Sequence, residues 1–403
     1  MLTIDEQMRI ITSGNATVVP KAALREKLAS GRSLKVKLGV DPTAPDLHLG
    51  HAVPLRKLRQ LQDIGHRVIL IIGDATALIG DPSGRNSTRP PLSPDEIAAN
   101  AQTYVDQAYK LLDESKTELR YNSEWLSPLT LEQILKLTAQ FTVARILERD
   151  DFSQRYQSER PISLHEFLYP VMQAYDSVVV AADIEIGGND QLFNLLAGRE
   201  LMEKQGMSPQ VCLTLPLLEG TDGHLKMSKS YGNYIGITDE PADMFGKLMS
   251  IPDSLMERYF HLASTLTPDE IDVIVAGLTS GSLHPNACKR RLAANIVSLY
   301  WGEDAARTAE AAFDRVFKDH NLPANIPEIS ADFDVDHDGL VYMPPLLVAV
   351  GLAASNGEAR RLVDNGGVKV NGQALAKGAY KLEAQLLKGA VISAGKRKFV
   401  KLI

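Results

Sequence analysis

Residues 35–74 read KVKLGVDPTAPDLHLGHAVPLRKLRQLQDIGHRVILIIGD, and their pattern decides the fold of this part of the chain. The first six residues predict a short strand. The last eight form an apolar run that is typical of a parallel strand buried on both faces. Between them, apolar residues recur from His51 to Ile64 with a helical period, and Gly65 follows as a stop. A strand, a helix and a strand in about 40 residues predict a βαβ unit.

A second apolar run, 178-VVVAADIEIGG-188, ends in glycines and precedes the helical pattern 191-QLFNLLAGRELMEK-204. Together these segments predict an α/β fold on a Rossmann-like parallel sheet, with chemistry at the carboxyl ends of the strands. Residues 240–318 are mostly helical in period, and prolines punctuate them. The predicted regions are a catalytic domain (1–235), a helical domain (236–320), an acidic linker (321–340) and a small basic domain (341–403).

The charge of the chain is unevenly distributed. The 403 residues carry a net charge of −7, but residues 341–403 hold ten Lys and Arg against three acidic residues. That gives this tail +7 and leaves −14 for the rest of the chain. A basic module beside an acidic body indicates a nucleic-acid partner.

Composition argues against several classes of protein. With 44% hydrophobic and 23% charged residues, the chain has the composition of an ordinary soluble globular protein. No apolar run reaches about 18 residues, so no membrane span is expected. Cys212 and Cys288 match no metal spacing and no disulfide framework, so a cytoplasmic location is expected. The linker from Asp334 to Gly339 is similar to the start of a calcium loop. However, Pro345 stands where the bidentate Glu belongs, which favours a solvated tether.

Two histidines and a glycine lie where the first predicted strand gives way to the helix. A helix N-terminus attracts anions through its free N–H groups and its dipole. The imidazoles of His48 and His51 could there donate hydrogen bonds to phosphate or ribose oxygens. Gly50 leaves room for an adenine ring, and Thr43 adds a hydroxyl. A lone H-x-G-H segment would leave open the alternative of two surface histidines.

A lysine-rich loop, 226-KMSKS-230, follows about 175 residues later. Lys226 and Lys229 supply ammonium groups, and Ser228 and Ser230 supply hydroxyls. Positive charge placed on a leaving pyrophosphate suits a reaction in which positioning and electrostatics dominate catalysis. Such a loop alone is usually solvated. In this order and at this distance, the two motifs indicate activation by ATP.

These motifs are part of a similarity to a known protein family, and this similarity covers essentially the whole chain. The chain resembles the bacterial tyrosyl-tRNA synthetases, which are class I aminoacyl-tRNA synthetases, and is closer to the second of their two subtypes. The matching blocks are 39-GVDPTAPDLHLGH-51, 73-GDATALIGDPSGR-85, 169-YPVMQAYD-176, 187-GGNDQ-191 and 226-KMSKS-230. The last part of the chain, centred on 358-EARRLVDNGGVKVNG-372, resembles an α+β S4 RNA-binding domain.

The resemblance implies a role for each residue at a matching position. The catalytic set would be Thr43, His48, His51, Lys226, Lys229 and Ser230. The ATP-binding set would be Asp41, Gly50, Arg85, Arg89 and Asp190. The amino-acid-binding set would be Lys37, Asp81, Tyr169, Gln173, Asp176 and Gln191. The tRNA-binding set would be Arg360, Arg361 and Lys369, and the helical domain would also bind tRNA.

Within the amino-acid-binding set, Asp81, Tyr169 and Gln173 would hold the substrate ammonium, and Asp176 would accept a hydrogen bond from the phenol. The three residues of 169-YPVMQAYD-176 share one helix face, which without the resemblance would more often be a plain polar face. Lys37 departs from the better-known subtype, where a tyrosine shares the phenol contact. It is expected either to pair with Asp176 or to point to solvent.

The resemblance implies a reaction in two steps. L-tyrosine and ATP, the latter with Mg²⁺, would give tyrosyl-adenylate and pyrophosphate, and the tyrosyl group would then pass to the 3′ end of tRNA(Tyr). No tightly bound cofactor, no protein metal site and no membrane partner are expected, and a homodimer is implied. Three alternatives are open: a tryptophanyl-tRNA synthetase, which would not need Asp176, a small H-x-G-H nucleotidyltransferase, and a non-catalytic RNA-binding protein with the same fold.

Overall fold

The computed structural model describes residues 2–43, 46–82, 93–317, 326–330, 334–395 and 398–403. The chain divides into two compact units, Met1–Asp304 and Ala305–Ile403, and each is described by itself. The first is an α/β unit that ends in helices, and the second is a small α+β unit. The predicted fold class is therefore confirmed.

The described part of the first unit contains one six-stranded sheet. The strands are β1 (Thr17–Val19), β2 (Lys35–Val40), β3 (Arg67–Ile72), β4 (Thr117–Tyr121), β5 (Ile184–Gly188) and β6 (Val211–Leu215). Their order is β1-β6-β5-β2-β3-β4, and only β1 runs antiparallel to its neighbour. Every residue of β3 after Arg67 is buried, as its continuous apolar run predicted.

Helices connect these strands. In chain order they are α1 (Ile4–Thr12), α2 (Lys21–Ala29), α3 (Leu49–Asp63), α4 (Thr76–Ile79), α5 (Pro94–Ala108), α6 (Ser123–Leu126), α7 (Leu131–Thr138), α8 (Val143–Ile146), α9 (Asp150–Gln157), α10 (Leu168–Val180) and α11 (Leu192–Lys204). The predicted βαβ unit is β2, α3 and β3. Helix α3 begins two residues earlier than its apolar period indicated, because His48 caps it.

The apolar run 178–188 contributes a strand only in its second half. Its valines at 178–180 form the last turn of α10, which is followed by Ala181 in a left-handed conformation with φ of 49°. Strand β5 starts at Ile184. An apolar run fits a buried helix as well as a buried strand, so its composition alone does not separate the two.

The site is positioned by the strand order. Strand β2 has β3 on one side and β5 on the other. In such a sheet a crevice opens at the carboxyl ends of the strands, where the order reverses. The segments after β2, β3, β5 and β6 all reach this edge and contain most of the sequence motifs, and the block 169-YPVMQAYD-176 lies on α10.

The chain after β6 is helical, as predicted. The helices are α12 (Pro241–Ser250), α13 (Met256–Ala263), α14 (Pro268–Ser280), α15 (Pro285–Trp301) and α16 (Glu303–Phe317). Pro241, Pro268 and Pro285 each occupy the first helical position, where an N–H group would have no partner within the helix. None of the described helices is long and apolar enough to cross a membrane.

The second unit contains two small sheets and short helices. Its strands are β7 (Glu328–Ile329), β8 (Leu340–Tyr342), β9 (Val368–Val370), β10 (Gln373–Ala374), β11 (Lys381–Glu383), β12 (Val391–Ala394) and β13 (Lys398–Leu402). Most of α16 falls in this unit, and its further helices are α17 (Met343–Ala349), α18 (Asn356–Asp364) and α19 (Ala384–Leu387). The described strands pair in the orders β10-β9-β12-β13-β7 and β11-β8. Strand β7 comes from the segment predicted as a linker, and it pairs in parallel with β13.

Candidate active site

A cavity of about 580 Å³ opens at the carboxyl ends of β2, β3, β5 and β6. Its walls include most residues that the motifs predicted, namely Asp41, Thr43, Gly50, His51, Asp81, Tyr169, Gln173, Asp176, Asp190, Gln191, Lys226 and Ser230. The fold thus brings together segments that are far apart in the sequence. The predicted residues Arg85 and Arg89 lie outside the part of the chain that the structure describes.

His48 and His51 stack on each other at the start of α3. Their ring centroids are 3.7 Å apart, and the backbone N–H of His48 donates to Nδ1 of His51 at 3.4 Å. Burial lowers the pKa of His48 to about 3. Desolvation in the cleft and the charge of Lys229 lower the pKa of His51 to about 4. Both rings are therefore neutral near pH 7, and since Nδ1 of His51 accepts a hydrogen bond, its Nε2 carries the proton and can donate to a ligand.

Gly50 packs closely on the ring of the first histidine. A Cβ atom at residue 50 would lie 3.0 Å from both Cε1 and Nδ1 of the His48 ring. A side chain at this position would therefore require the ring to shift by a few tenths of an ångström.

Backbone hydrogen bonds connect the H-L-G-H segment to the chain just beyond the 226–230 loop. The N–H of Leu49 donates to the carbonyl of Ile235 at 2.9 Å, and the N–H of Ile237 donates to the carbonyl of Leu47 at 3.1 Å. These bonds fix the C-terminal end of the lysine-rich loop against the start of α3.

Asn233 holds the lysine-rich loop, and the sequence analysis missed it. Its side chain is buried, and its Oδ1 accepts from the backbone N–H of Ser228 at 2.8 Å. Its Nδ2 donates to the carbonyl of Lys226 at 3.2 Å and to Oδ2 of Asp222 at 2.8 Å. An asparagine three residues beyond the motif looks like an ordinary turn residue, so nothing in the sequence pattern marks this role.

The two lysines of the loop have different surroundings. Lys226 lines the cavity. Nζ of Lys229 lies 2.6 Å from Oδ2 of Asp46 in a partly exposed ion pair. In this conformation Lys229 is therefore paired with a carboxylate of the preceding D-P-T-A-P-D segment.

Asp41 lies among the residues predicted to bind the amino acid. Its Oδ2 accepts from the hydroxyl of Tyr169 at 2.9 Å, and its Oδ1 accepts from Oγ1 of Thr76 at 2.8 Å. Burial raises the pKa of Asp41 to about 7. A Cβ atom at residue 73 would collide with the Asp41 carboxylate, so Gly73 is needed for this packing.

Asp81 is held between a cation and an amide. Nη2 of Arg149 donates to its Oδ1 at 2.8 Å, and Nε2 of Gln191 donates to its Oδ2 at 2.8 Å. Arg149 is buried and also pairs with Asp151 at 2.7 Å. The sequence analysis missed Arg149 because it lies outside every motif block.

Asp176 is almost completely buried at the wall of the cavity, with 3% of its surface exposed. Nε1 of Trp125 donates to its Oδ1 at 2.8 Å, and Nδ2 of Asn122 donates to its Oδ2 at 3.4 Å. Burial raises the pKa of Asp176 to about 6, although the charge of Lys37 and these two hydrogen bonds oppose the shift. Trp125 and Asn122 are further site residues that the sequence analysis missed.

Both expectations for Lys37 are wrong. Its side chain is fully buried and does not line the cavity, and Nζ pairs with Oε1 of Glu185 at 2.9 Å. Nζ also donates to Oγ of Ser177 at 2.8 Å and to the carbonyl of Gln173 at 3.1 Å. The partner is thus a glutamate on the neighbouring strand rather than Asp176 or water.

The three residues predicted to bind tRNA are exposed on the second unit. Arg360 and Arg361 lie on α18, and Lys369 lies on β9. Nε of Arg360 donates to the hydroxyl of Tyr342 at 3.0 Å, and its guanidinium lies 5.9 Å from the centroid of that ring. Basic side chains beside an aromatic ring are suited to contact with nucleic acid.

Comparison with known proteins identifies the family of the chain. The family described as tRNA synthetases class I (W and Y) matches residues 29–318, and the S4 domain matches residues 346–386. A tyrosine–tRNA ligase of Moorella thermoacetica is 51% identical over 403 residues, which cover 99% of this chain and 96% of that protein. Another, from Oleidesulfovibrio alaskensis, is 48% identical over 402 residues, and the match spans 100% of both chains.

Among solved structures, the tyrosyl-tRNA synthetase of Archaeoglobus fulgidus complexed with L-tyrosine superposes with a TM-score of 0.62. It is 26% identical and covers 76% of this chain and 99% of that one. The chain therefore belongs to the class I tRNA synthetases for tryptophan and tyrosine. Within that family it is a tyrosine–tRNA ligase, so the resemblance seen in the sequence is confirmed over its alternatives.

Proposed function

We propose that tyrosine is activated in the cavity at the carboxyl ends of β2 and β5. One side of this cavity would bind the amino acid and the other side would bind ATP, because the two sides differ in charge. One observation carries this proposal: Gly50 and His51 of the H-L-G-H segment, Lys226 of the lysine-rich loop, and Asp41, Asp81 and Asp176 line one cavity. The acidic side suits an amino acid with an ammonium group. The side with donors and lysines suits the phosphates of ATP.

In the proposed first step, a carboxylate oxygen of tyrosine attacks the α-phosphorus of ATP. The new O–P bond forms as the bond to the bridging α–β oxygen breaks, and the electron pair leaves with pyrophosphate. A carboxylate is already a competent nucleophile, so no general base is needed. His48, His51 and Thr43 would donate hydrogen bonds to phosphate oxygens, and Lys226 and Lys229 would neutralise the departing charge, with Ser230 beside them.

In the proposed amino-acid pocket, the ammonium group is held by Asp81, Tyr169 and Gln173. The fixed position of Asp81 between Arg149 and Gln191 supports this role, because a preorganised carboxylate loses little freedom on binding. Asp176 would accept the hydrogen bond from the phenol. Its burial supports selectivity, because a ligand without the hydroxyl leaves a buried acceptor without its partner.

The remaining assignments follow the family pattern. Asp41, Gly50 and Asp190 would contact ATP, as would Arg85 and Arg89, and Gln191 would also contact the tyrosine carboxylate. Magnesium would enter with ATP, because this ion keeps phosphate oxygens and waters as ligands more readily than it enters protein cages. The contact of Asp41 with Tyr169 would join the ATP and amino-acid parts of the cavity.

For the second step, we propose that the helical region and the S4-like tail bind tRNA(Tyr) and deliver its 3′ end to the adenylate. The division into regions 1–235, 236–320, 321–340 and 341–403 remains part of this proposal. The exposed positions of Arg360, Arg361 and Lys369 support RNA contact by the tail.

We also propose that the protein is a homodimer. On α7, Leu131 and Leu135 lie one helical turn apart, and they are 72% and 60% exposed. Leu164 is 83% exposed. Contiguous apolar patches at the surface are typical of sites where proteins associate, and the pair on α7 would be part of such a patch. Sedimentation of the purified chain would measure the assembly directly.

Pyrophosphate exchange with ATP tests the site assignment. We expect Asp81→Asn and Gln173→Ala to raise KM for tyrosine while KM for ATP stays within about threefold, because each removes one ligand of the ammonium. We expect His51→Ala to lower kcat instead. Equal effects of all three variants on both substrates would contradict the division of the cavity. The control is Arg25→Ala, which changes an exposed pair with Asp5 on the surface of the same unit.

A further inference from the structure

A buried ion pair lies directly behind the wall of the amino-acid pocket. Lys37 and Glu185 are register partners on the adjacent parallel strands β2 and β5. Their side chains are 0% and 1% exposed, and neither belongs to the cavity wall. A buried pair of charges is tolerated only when hydrogen bonds satisfy both groups, so the polar neighbours of this pair indicate what it does.

Both oxygens of Glu185 are engaged. Oε1 accepts from Nζ of Lys37 at 2.9 Å and from Nε2 of Gln173 at 3.0 Å. Oε2 accepts from Oγ of Ser177 at 3.0 Å and from Nε2 of Gln210. Only Gln173 among these partners also lines the cavity. The network therefore touches the substrate pocket at a single side chain.

We propose that Glu185 is a positioning residue that fixes the amide of Gln173, so that the carbonyl oxygen of Gln173 faces the substrate ammonium. An ionised carboxylate can only accept hydrogen bonds. The NH₂ group of Gln173 must therefore turn toward Glu185, and its oxygen lies on the other side of the planar amide. This inference rests on the proposed role of Gln173 as a ligand of the ammonium.

Lys37 supplies the counter-charge of Glu185. Its Nζ lies 2.9 Å from the same oxygen, Oε1, that accepts from Gln173, and a buried carboxylate needs such a partner. A side chain at position 185 that presented a donor in this place would turn the amide of Gln173 over and direct its NH₂ group at the ammonium. A lysine at position 37 therefore acts on the amino-acid pocket without touching the substrate.

Gly198 leaves space for the polar network around Glu185, because it has no side chain. A Cβ atom at residue 198 would lie 2.7 Å from Nε2 of Gln210 and 3.0 Å from Oγ of Ser177. Gly198 on α11 thus lets the helix approach the polar cluster closely. Nε2 of Gln210 also donates to the carbonyl of Leu195 at 3.0 Å, so this amide is held with its NH₂ group toward Oε2 of Glu185.

The experiment measures the binding of two ligands to the full-length chain by calorimetry. One is L-tyrosine, and the other is 3-(4-hydroxyphenyl)propionate, which keeps the phenol and the carboxylate but lacks the ammonium. The test variant is Lys37→Met/Glu185→Met, which removes the acceptor and its counter-charge together. Replacing a buried pair by apolar residues of similar volume is often tolerated. Should this chain fail to fold, Lys37→Leu/Glu185→Leu gives the same comparison.

We expect the double variant to bind tyrosine about tenfold to a hundredfold more weakly, the scale of one hydrogen bond to a charged group. Binding of the propionate should change by less than about threefold. Glu185→Gln keeps an acceptor oxygen for Gln173 and should weaken tyrosine binding less than the double variant does. Glu200→Gln, which alters a partly exposed carboxylate of the same unit, is the matched control.

Equal weakening of both ligands in the double variant would mean that the pair only supports the pocket, and would overturn the proposal. So would unchanged tyrosine binding. A Glu185→Gln chain as weak as the double variant would assign the effect to the charge of Glu185 and not to the orientation of Gln173. Unchanged tyrosine binding by Gln173→Ala would instead remove the assignment of the ammonium to Gln173, which is a separate failure.

Discussion

Selectivity for the phenol should depend on Asp176, and Asp176→Asn tests this. In the structure, Oδ1 accepts from Nε1 of Trp125 at 2.8 Å, and Oδ2 lies 3.4 Å from Nδ2 of Asn122. An asparagine can satisfy Trp125 only by turning its oxygen toward the indole. Its NH₂ group then takes the place of Oδ2, where the NH₂ group of Asn122 already points. A phenol hydroxyl would meet a donor where the charged acceptor was.

The loss of the charged acceptor at position 176 sets the expected size of the change in kcat/KM. A hydrogen bond to a charged group contributes about 1.5–3 kcal/mol, which corresponds to about a 10- to 150-fold change in kcat/KM. We expect kcat/KM for tyrosine to fall by such a factor. The value for phenylalanine should change by less than about threefold, because that substrate has no hydroxyl to place. The ratio of the two values should therefore narrow.

Pyrophosphate exchange at saturating ATP, with each amino acid varied in turn, measures this ratio. The matched control is Asp63→Asn, which removes the same charge from an exposed ion pair with Arg59 on the surface of α3. Circular dichroism of both variants checks that the fold is kept. A tyrosine-to-phenylalanine ratio that stays at the parent value in Asp176→Asn would remove this residue from phenol recognition.

The same carboxylate gives a pH dependence of defined sign. Burial raises the pKa of Asp176 from an ordinary 3.8 to about 6. As the pH falls through this value, the carboxylate takes up a proton and loses the charge that accepts the phenol hydrogen bond. The tyrosine-to-phenylalanine ratio of kcat/KM should therefore be constant above about pH 7 and fall below about pH 6. Asp41 has a pKa of about 7 and also titrates in this range. Its protonation should change kcat/KM for tyrosine and for phenylalanine by the same factor, so the ratio of the two values is not affected by it.

Three further outcomes are expected. His48→Ala should lower the rate of adenylate formation by roughly 10²–10³, the scale for one preorganised donor, while calorimetry should find the affinity for tyrosine unchanged. Asp46→Asn should release Lys229 and lower KM for ATP in the exchange assay, by no more than about fivefold, because a partly exposed ion pair contributes at most about 1 kcal/mol. An unchanged KM would mean that the pair has no influence on the loop. Removal of residues 341–403 should leave tyrosine-dependent exchange intact but abolish most tRNA charging, and equal charging by both chains would contradict RNA binding by the tail.

The parts of the fold that could be predicted are those in which local sequence carries the physical signal. Strand β3 is a continuous apolar run, and α3 has a helical period with a glycine after it, so both were located within a few residues. The run 178–188 was harder, because its valines suit a buried helix as well as a strand. Its division at Ala181 depends on the packing of α10 on α11, which no local pattern contains.

The motif residues were predictable because they are short blocks with recognisable spacing. The residues that hold them were not, because each acts across the fold. Arg149 reaches Asp81 over 68 positions, and Trp125 reaches Asp176 over 51. One signal was present in the sequence: Lys37 and Glu185 are opposite charges inside two strands whose other residues are mostly apolar. Charges in strands buried on both faces need a partner, so this pattern predicts that Lys37 and Glu185 pair with each other.

Because His48 and His51 are neutral near pH 7, other side chains would have to balance the negative charge of the phosphates. With pKa values near 3 and 4, His48 and His51 bring no charge to the start of α3 near pH 7. In the proposed mechanism, neutralisation of the departing pyrophosphate would therefore depend on Lys226 and Lys229. Lys226 already lines the cavity, whereas Lys229 is bound to Asp46. We expect activation to require Lys229 to exchange the Asp46 carboxylate for a phosphate, and this exchange should cost little because a partly exposed ion pair contributes at most about 1 kcal/mol. The weak pair with Asp46 would then let Lys229 stay at the rim before ATP binds and move onto the pyrophosphate afterwards.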